Sequence, residues 1–190
     1  MLYVFLGAIS ARSENGVVDK YFSHKNQLIN DNSHDKAIGN EILYQIVVDR
    51  FENGNYQNDC LYGGHFCSRD HSEWFKYWGG DLRGVVNRLS YLKNLNVTRL
   101  WLTPIFENVP VDVDYQLFGR PAKVTSYHGY WIRDWFRLSP FFTDTGWRDF
   151  SILDEVIQKA LPEMRIFLDT VTNHSNPANA TAESLAYLTM

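Results

Sequence analysis

Arg165-Ile-Phe-Leu-Asp-Thr-Val-Thr-Asn-His174 is an apolar run that ends abruptly in a carboxylate, an amide and an imidazole. Ile166, Phe167 and Leu168 suit a parallel strand covered on both faces, which places Asp169, Asn173 and His174 at or just beyond its carboxyl end. Ligand sites of α/β sheets and barrels form at that end. Alone, these three residues read more simply as a turn cap and an idle surface histidine. The rest of the chain changes that weighting.

Upstream of this strand, Phe150, Leu153, Val156, Ile157 and Ala160 make a helical stripe that closes before Pro162. Val97-Thr-Arg-Leu-Trp-Leu-Thr103 reads as another strand, stopped by Pro104. Leu82, Val85, Val86, Leu89, Leu92 and Leu95 recur at spacings of three and four, an amphipathic helix opened by Asp81. Ile42-Leu-Tyr-Gln-Ile-Val-Val48 is the first buried strand, ending at Asp49-Arg50-Phe51. The order is strand, helix, strand, helix, strand. Both helix-to-strand turns are short, whereas the strand-to-helix loops, about 52–80 and 104–146, are long. Elaboration at one end only is what a (β/α) barrel with its site at the carboxyl ends of the strands shows, with a doubly wound open sheet as the alternative. No glycine-rich phosphate fingerprint follows any of the three strands, which argues against a nucleotide-binding sheet.

The chain has 190 residues, 45% of them hydrophobic, enough to bury a sizeable core in one domain or part of one. A formal charge of −4 without a basic cluster gives no sign of a nucleic-acid partner. No apolar run is long enough for a transmembrane segment. Leu2 to Ile9, followed by Ser10 and Ala11, resembles the end of a signal-peptide hydrophobic region without its positive residues, and the chain from Arg12 to about Asn40 reads as a linker. Cys60 and Cys67 lie close together in a polar loop, far from any histidine pair with metal spacing. A local disulfide in an exported protein is the better reading, and two free thiols are the alternative.

Both long loops carry chemistry. Asn53-Gly-Asn-Tyr-Gln-Asn-Asp59 groups five amide or carboxylate side chains around a glycine, and Gly79-Gly80-Asp81 adds a turn and a carboxylate. Hard oxygens at this density suit calcium, and an ion-free Asx turn fits them equally well. In the second loop, Tyr127, Tyr130 and Trp131 interleave with His128 and Arg133. A sugar ring needs such flat apolar faces beside hydrogen-bonding groups, although each aromatic singly is explained by loop packing.

Tyr44-Gln45-Ile46 with Asp49-Arg50-Phe51, then Gly79-Gly80-Asp81, Trp101-Leu-Thr-Pro104, Tyr127-His-Gly-Tyr-Trp131 and Asp169-x-x-x-Asn173-His174 occur in this order. Together they resemble the α-amylase family, glycoside hydrolase family 13, over about residues 41 to 180. The Asn53–Asp59 loop with Gly79 and Asp81 looks most like the cyclodextrin glucanotransferases and maltogenic amylases. The resemblance implies an α/β fold: 41–174 as the N-terminal part, about three β/α units, of a TIM (β/α)8 barrel, and 175–190 as the start of a domain inserted after the third strand. It leaves 1–40 as leader remnant and linker.

The same resemblance implies that Asp169 supports the site, His174 hydrogen-bonds the sugar at the cleavage point, and Tyr130 stacks under it with Tyr127, His128 and Trp131 nearby. Asn173 would ligate a Ca2+ between barrel and inserted domain. Asn53, Asn55, Asn58, Asp59, Asp81 and the Gly79 carbonyl would form a second calcium site. The glucanotransferases also have a disulfide near this loop, but Cys60 and Cys67 sit differently relative to Gly79. The expected activity is retaining hydrolysis or transglycosylation of α-1,4-glucans such as starch or maltodextrin, by a secreted or periplasmic enzyme. In the family, the nucleophile and general acid come from the fourth and fifth strands, which are expected beyond Met190. No catalytic carboxylate is therefore expected within residues 1–190, which should be inactive alone. The alternatives are a non-catalytic relative and a glycan- or calcium-binding module.

Overall fold

The computed structural model describes residues 41–110, 112–146 and 148–174, which apart from Glu41 belong to one unit beginning at Ile42. The expected linker over 1–40 and the expected start of an inserted domain, Ser175 to Met190, lie outside the described residues. The expectation that the reacting carboxylates lie beyond Met190 likewise concerns strands outside the described residues. In chain order the elements are β1 (Leu43–Ile46), α1 (Val48–Phe51), α2 (Leu82–Asn94), β2 (Arg99–Leu102), β3 (Phe106–Asn108), β4 (Val113–Leu117), β5 (Arg120–Val124), β6 (Ile132–Leu138), α3 (Ser151–Ala160) and β7 (Arg165–Leu168).

Strands β1, β2 and β7 form a parallel sheet in that order. Its rungs run without a slip from Leu43, Arg99 and Arg165 to Ile46, Leu102 and Leu168. Alternation puts Tyr44, Ile46, Leu100, Leu102, Ile166 and Leu168 on one face, where Ile46, Leu100 and Leu102 are buried. The other face carries Leu43, Gln45, Trp101 and Phe167, and here Leu43 is 53% and Phe167 42% exposed. The expected strand covered on both faces is therefore covered on one. Three strands lie side by side as in a barrel wall, and no barrel is closed among the described residues.

The helices follow their apolar stripes. Asp81 caps α2 by accepting the Gly84 N–H at 2.6 Å, and Leu82, Val85, Val86, Leu89 and Leu92 are buried. Full burial of one such side chain stabilises by about 1.5–3 kcal/mol. Leu95 falls outside the stripe, and Asn96 at φ 55 turns the chain into β2. Helix α3 buries Ile152, Leu153, Val156 and Ala160 and packs on α2 and β7, while Phe150 precedes it as N-cap.

Two expectations change. The first strand stops at Ile46 because the Val48 N–H turns to Thr103 Oγ1 at 3.2 Å and the Arg50 N–H to the Val47 carbonyl at 2.9 Å, starting the single turn α1. The segment 104–146, read as loop, contains β3 to β6. β3 pairs antiparallel with β6 through register shifts, which hides its periodicity. β4 and β5 form a hairpin closed by Phe118 and Gly119, both at positive φ. The hairpin base, Val113 and Val124, packs with Val109 and Trp131.

Candidate substrate and calcium sites

Asp169 follows β7 directly, and its N–H donates to the Leu102 carbonyl at 2.9 Å, which sets it at the carboxyl end of the sheet. The Tyr130 hydroxyl donates to Asp169 Oδ2 at 2.7 Å. Tyr130 reaches it from a tight turn whose Gly129 has φ +87, with the Gly129 N–H on the Ser126 carbonyl at 2.9 Å. A Cβ at Gly129 would lie 2.0 Å from the Pro104 carbonyl oxygen, so this turn lies flat on the exit from β2 only with glycine. The Tyr130 N–H donates to His128 Nδ1 at 3.0 Å, and the two rings stack with centroids 5.7 Å apart. Trp131 and Tyr127 meet the His128 ring edge-on at 5.0 and 5.2 Å. The Trp131 N–H donates to Asn108 Oδ1 at 3.0 Å.

Five of the six predicted substrate residues thus share one cluster, in which each contacts at least one other. His174 is exposed, with Nδ1 3.2 Å from Asn173 Oδ1. Burial, then the Arg50 guanidinium and His174, push the His128 imidazole down to about 4. It is neutral near pH 7, and because Nδ1 accepts the Tyr130 N–H, Nε2 carries the proton. Burial and the neighbouring Asp169 carboxylate raise the Tyr130 phenol, which keeps its proton as donor. Neutral rings that keep a hydrogen-bonding nitrogen suit a polyhydroxylated ring.

The second site gathers its residues less uniformly. Asn53 Oδ1 and Asn58 Oδ1 are buried without a partner, and Asn53 Nδ2 holds both Asp59 oxygens at 3.0 and 2.9 Å. A Cβ at Gly79, φ +97, would meet Asp59 Oδ1 at 2.4 Å, so the Gly79 backbone borders this pocket of oxygens. Burial raises the carboxyls of Asp59 and Asp81, and the Asp81 charge adds to the rise at Asp59. Asp81 is already committed: its oxygens accept from the N–H groups of Gly54, Asn55 and Gly84 and from Asn58 Nδ2. Asn55 Oδ1 accepts the Gln57 N–H at 3.0 Å in an Asx turn. Among the described residues no group of three or more His, Cys, Asp or Glu is placed to hold a metal, so a cation here would depend on amide and carbonyl oxygens. Those are calcium ligands. Asn173 lies apart from this loop in the chain, exposed beside His174. Within the same loop region, Cys60 and Cys67 are disulfide-bonded with Cα atoms 5.3 Å apart.

Residues 45–186 match the profile of the alpha amylase catalytic domain. The chain belongs to the alpha-amylase family. That family's catalytic domain is a TIM barrel, and β1, β2 and β7 with α2 and α3 form an unclosed part of one in this chain. It is 39% identical over 136 residues to the cyclomaltodextrin glucanotransferase of Klebsiella oxytoca, covering 72% of this chain and 19% of that protein. The enzyme of the same name from Thermoanaerobacterium thermosulfurigenes is 34% identical over 149 residues, covering 77% and 20%. Among solved structures, CldA, a cyclomaltodextrin glucanotransferase with a three-domain ABC distribution, is similar with a TM-score of 0.63 at 34% identity, covering 73% of this chain and 27% of that one. The chain therefore spans between about a fifth and about a quarter of these relatives.

Asp49-Arg50-Phe51 belong to the family motif, but nothing in the sequence alone gives them a part in the site. In the fold, Arg50 lies between the rings of Trp78 and Tyr127, its Cζ 4.1 and 3.9 Å from their centroids. Asp49, 1% exposed, accepts from Arg50 Nη1 at 2.5 Å and from the Trp78 and Gly79 N–H groups. Burial pushes its carboxyl up to about 7 against the pull of those donors. Trp135 was also missed: its Nε1 donates to Thr170 Oγ1 at 3.1 Å, tying β6 to the residue after Asp169. An arginine spacing carries no mark of a stacked partner, so only the fold reveals these contacts.

Proposed function

We propose that this chain is the substrate-cradling first part of a (β/α)8 catalytic domain that cleaves or transfers α-1,4-glucans with retention of configuration. The observation that carries this reading is the Tyr130 to Asp169 hydrogen bond at the carboxyl end of the parallel sheet, with His128 stacked on Tyr130. Aromatic stacking on the apolar face of a glucose ring, with His128 Nε2 and His174 at its hydroxyls, would hold the sugar at the cleavage point. The match to the alpha amylase catalytic domain and the likeness to glucanotransferases support this substrate class.

Retaining chemistry requires a nucleophilic carboxylate and a protonated acid about 5 Å apart. Asp169 is engaged by Tyr130 and serves as support. The reacting pair is assigned to strands other than β1, β2 and β7, in the part of the parent enzyme beyond Met190, and residues 1–190 alone are inactive. Calcium fits the loop around Asn53: two amide oxygens are orphaned there, while Asp59, Asp81 and Asn55 would join by exchanging present hydrogen bonds, with the bordering Gly79 backbone as a further oxygen source. The bound ion would supply positive charge that stiffens this loop. Asn173, exposed beside His174, can turn toward a second ion. The bonded Cys60 and Cys67 favour an exported enzyme.

The test is incubation of the complete enzyme carrying this chain with maltoheptaose, following product anomers by NMR and cyclic against linear products by chromatography. α-Anomeric products at first release are expected, and Tyr130→Phe should lower kcat roughly tenfold by loosening Asp169. Absence of α-glucan turnover by the wild-type enzyme would remove the reading. Dominant cyclic products, or linear ones longer than maltoheptaose, assign transglycosylation, and a net gain of reducing ends assigns hydrolysis.

A further inference from the structure

Arg50 belongs to α1, the turn that leaves the first strand, yet it reaches two different loops. Its Nη2 donates to the Trp74 carbonyl at 2.5 Å and its Nη1 to Asp49 Oδ2 at the same distance. The flat guanidinium then fills the space between Trp78, from the loop after β1, and Tyr127, from the insertion after β2. Its side chain is only 18% exposed. Asp49 beneath it is itself fixed by the Trp78 and Gly79 amides. The cation is thus held at its edge by two oxygens and on both faces by rings, an arrangement that needs a planar delocalised charge.

Tyr127 leads directly into the site: its ring abuts His128, His128 stacks on Tyr130, and Tyr130 donates to Asp169. We infer that Arg50 is a positioning residue for the sugar-stacking segment. Gripped between Trp78 and Tyr127, its guanidinium sets where the Tyr127–Trp131 turn stands over Asp169. The hydrogen bonds and ring contacts of Arg50 go to Asp49, Trp74, Trp78 and Tyr127, and its charge is felt at His128, so it acts on Tyr130 through these neighbours in the turn. The inference rests on the α-glucan reading for what the segment holds, and on geometry alone for what holds the segment.

The experiment is Arg50→Lys in the complete enzyme, with two readouts. Lysine keeps the charge beside Asp49 and loses the plane between the rings. In the crystal structure of the variant, the Tyr127–Trp131 turn should shift and the Tyr130 hydroxyl should leave hydrogen-bond distance of Asp169. With maltoheptaose, kcat should fall roughly ten- to a hundredfold while KM changes much less, the signature of a mispositioned rather than unbound sugar. A turn that superposes on the wild type, or an unchanged kcat, overturns the inference. If Arg50→Lys does not fold, Trp78→Leu takes its place: it removes the ring on the far side of the guanidinium and should give the same shift and the same kcat loss. A wild-type enzyme without α-glucan turnover would sink the functional reading, and the crystallographic comparison would still decide the role of Arg50.

Discussion

His128 shows how much a single side chain's surroundings can settle. Its Nδ1 is occupied by the Tyr130 N–H, it is half-buried among rings, and a guanidinium lies close enough to oppose a second positive charge. Its folded-state value of about 4 lies below the ordinary 6.5, so between these values the unfolded chain binds more protons than the folded one. The stability contributed by keeping His128 neutral is present in full above about 6.5 and is lost as pH falls toward and through about 4. Titration of its ring Hε1 resonance by NMR should therefore show no protonation until well below pH 6, given that folded value of about 4. A midpoint near the ordinary 6.5 would contradict the packing described around it. The sequence allowed a sugar-contacting histidine, but its tautomer follows from a backbone N–H two residues away, which no motif encodes.

At the scale of elements, the loop from Asn53 to Asp59 and helix α2 share one residue. Asp81 caps the helix through Gly84 and holds the loop through Gly54, Asn55 and Asn58. A cation bound by this loop would stabilise both, and about 1 mM free calcium at a micromolar site contributes about 4 kcal/mol by mass action. Chelation should lower the unfolding temperature of the complete enzyme by several degrees, and Asn53→Ala should abolish that difference. An unfolding temperature indifferent to chelator and calcium would leave the loop as an ion-free Asx turn. The main helices and parallel strands were legible because their apolar periodicity is long and uninterrupted, as in Leu82 to Leu92. Strands β3 to β6 were not. β3 has three residues and pairs through register shifts, and β6 carries charged residues because much of it is only half-buried. In β4 a readable alternation, Val113-Asp-Tyr-Gln-Leu117, was present, but its turn has phenylalanine where asparagine or aspartate is usual. The clustering of Tyr127, His128, Tyr130, Trp131 and Asp169 was legible as a motif, whereas the Arg50 sandwich was not, since its three members lie far apart in the chain.

Across the whole molecule, the parallel sheet has one buried and one open face. Leu43 and Phe167, with Val47 just beyond β1, leave apolar surface in water. In a closed barrel that face packs inward. Residues 1–190 produced alone should bind a hydrophobic-probe dye strongly, unfold over a broad temperature range and associate as concentration rises in sedimentation velocity. A dye-silent monomer with one sharp transition would show that this unit is self-sufficient. The unbroken ladder from Leu43 to Leu168 has a different consequence. Because Asp169 is hung from Leu102 and β2 from β1, one residue inserted inside a strand would turn the carboxylate to the opposite side of the sheet. The same insertion between Glu52 and Gly80, or within the hairpin, leaves every rung in place. Descendants of such a chain can lengthen these loops and change what they grip while the depth of the carboxylate stays constant, so variation in partner and constancy of chemistry are inherited from separate parts of one sequence.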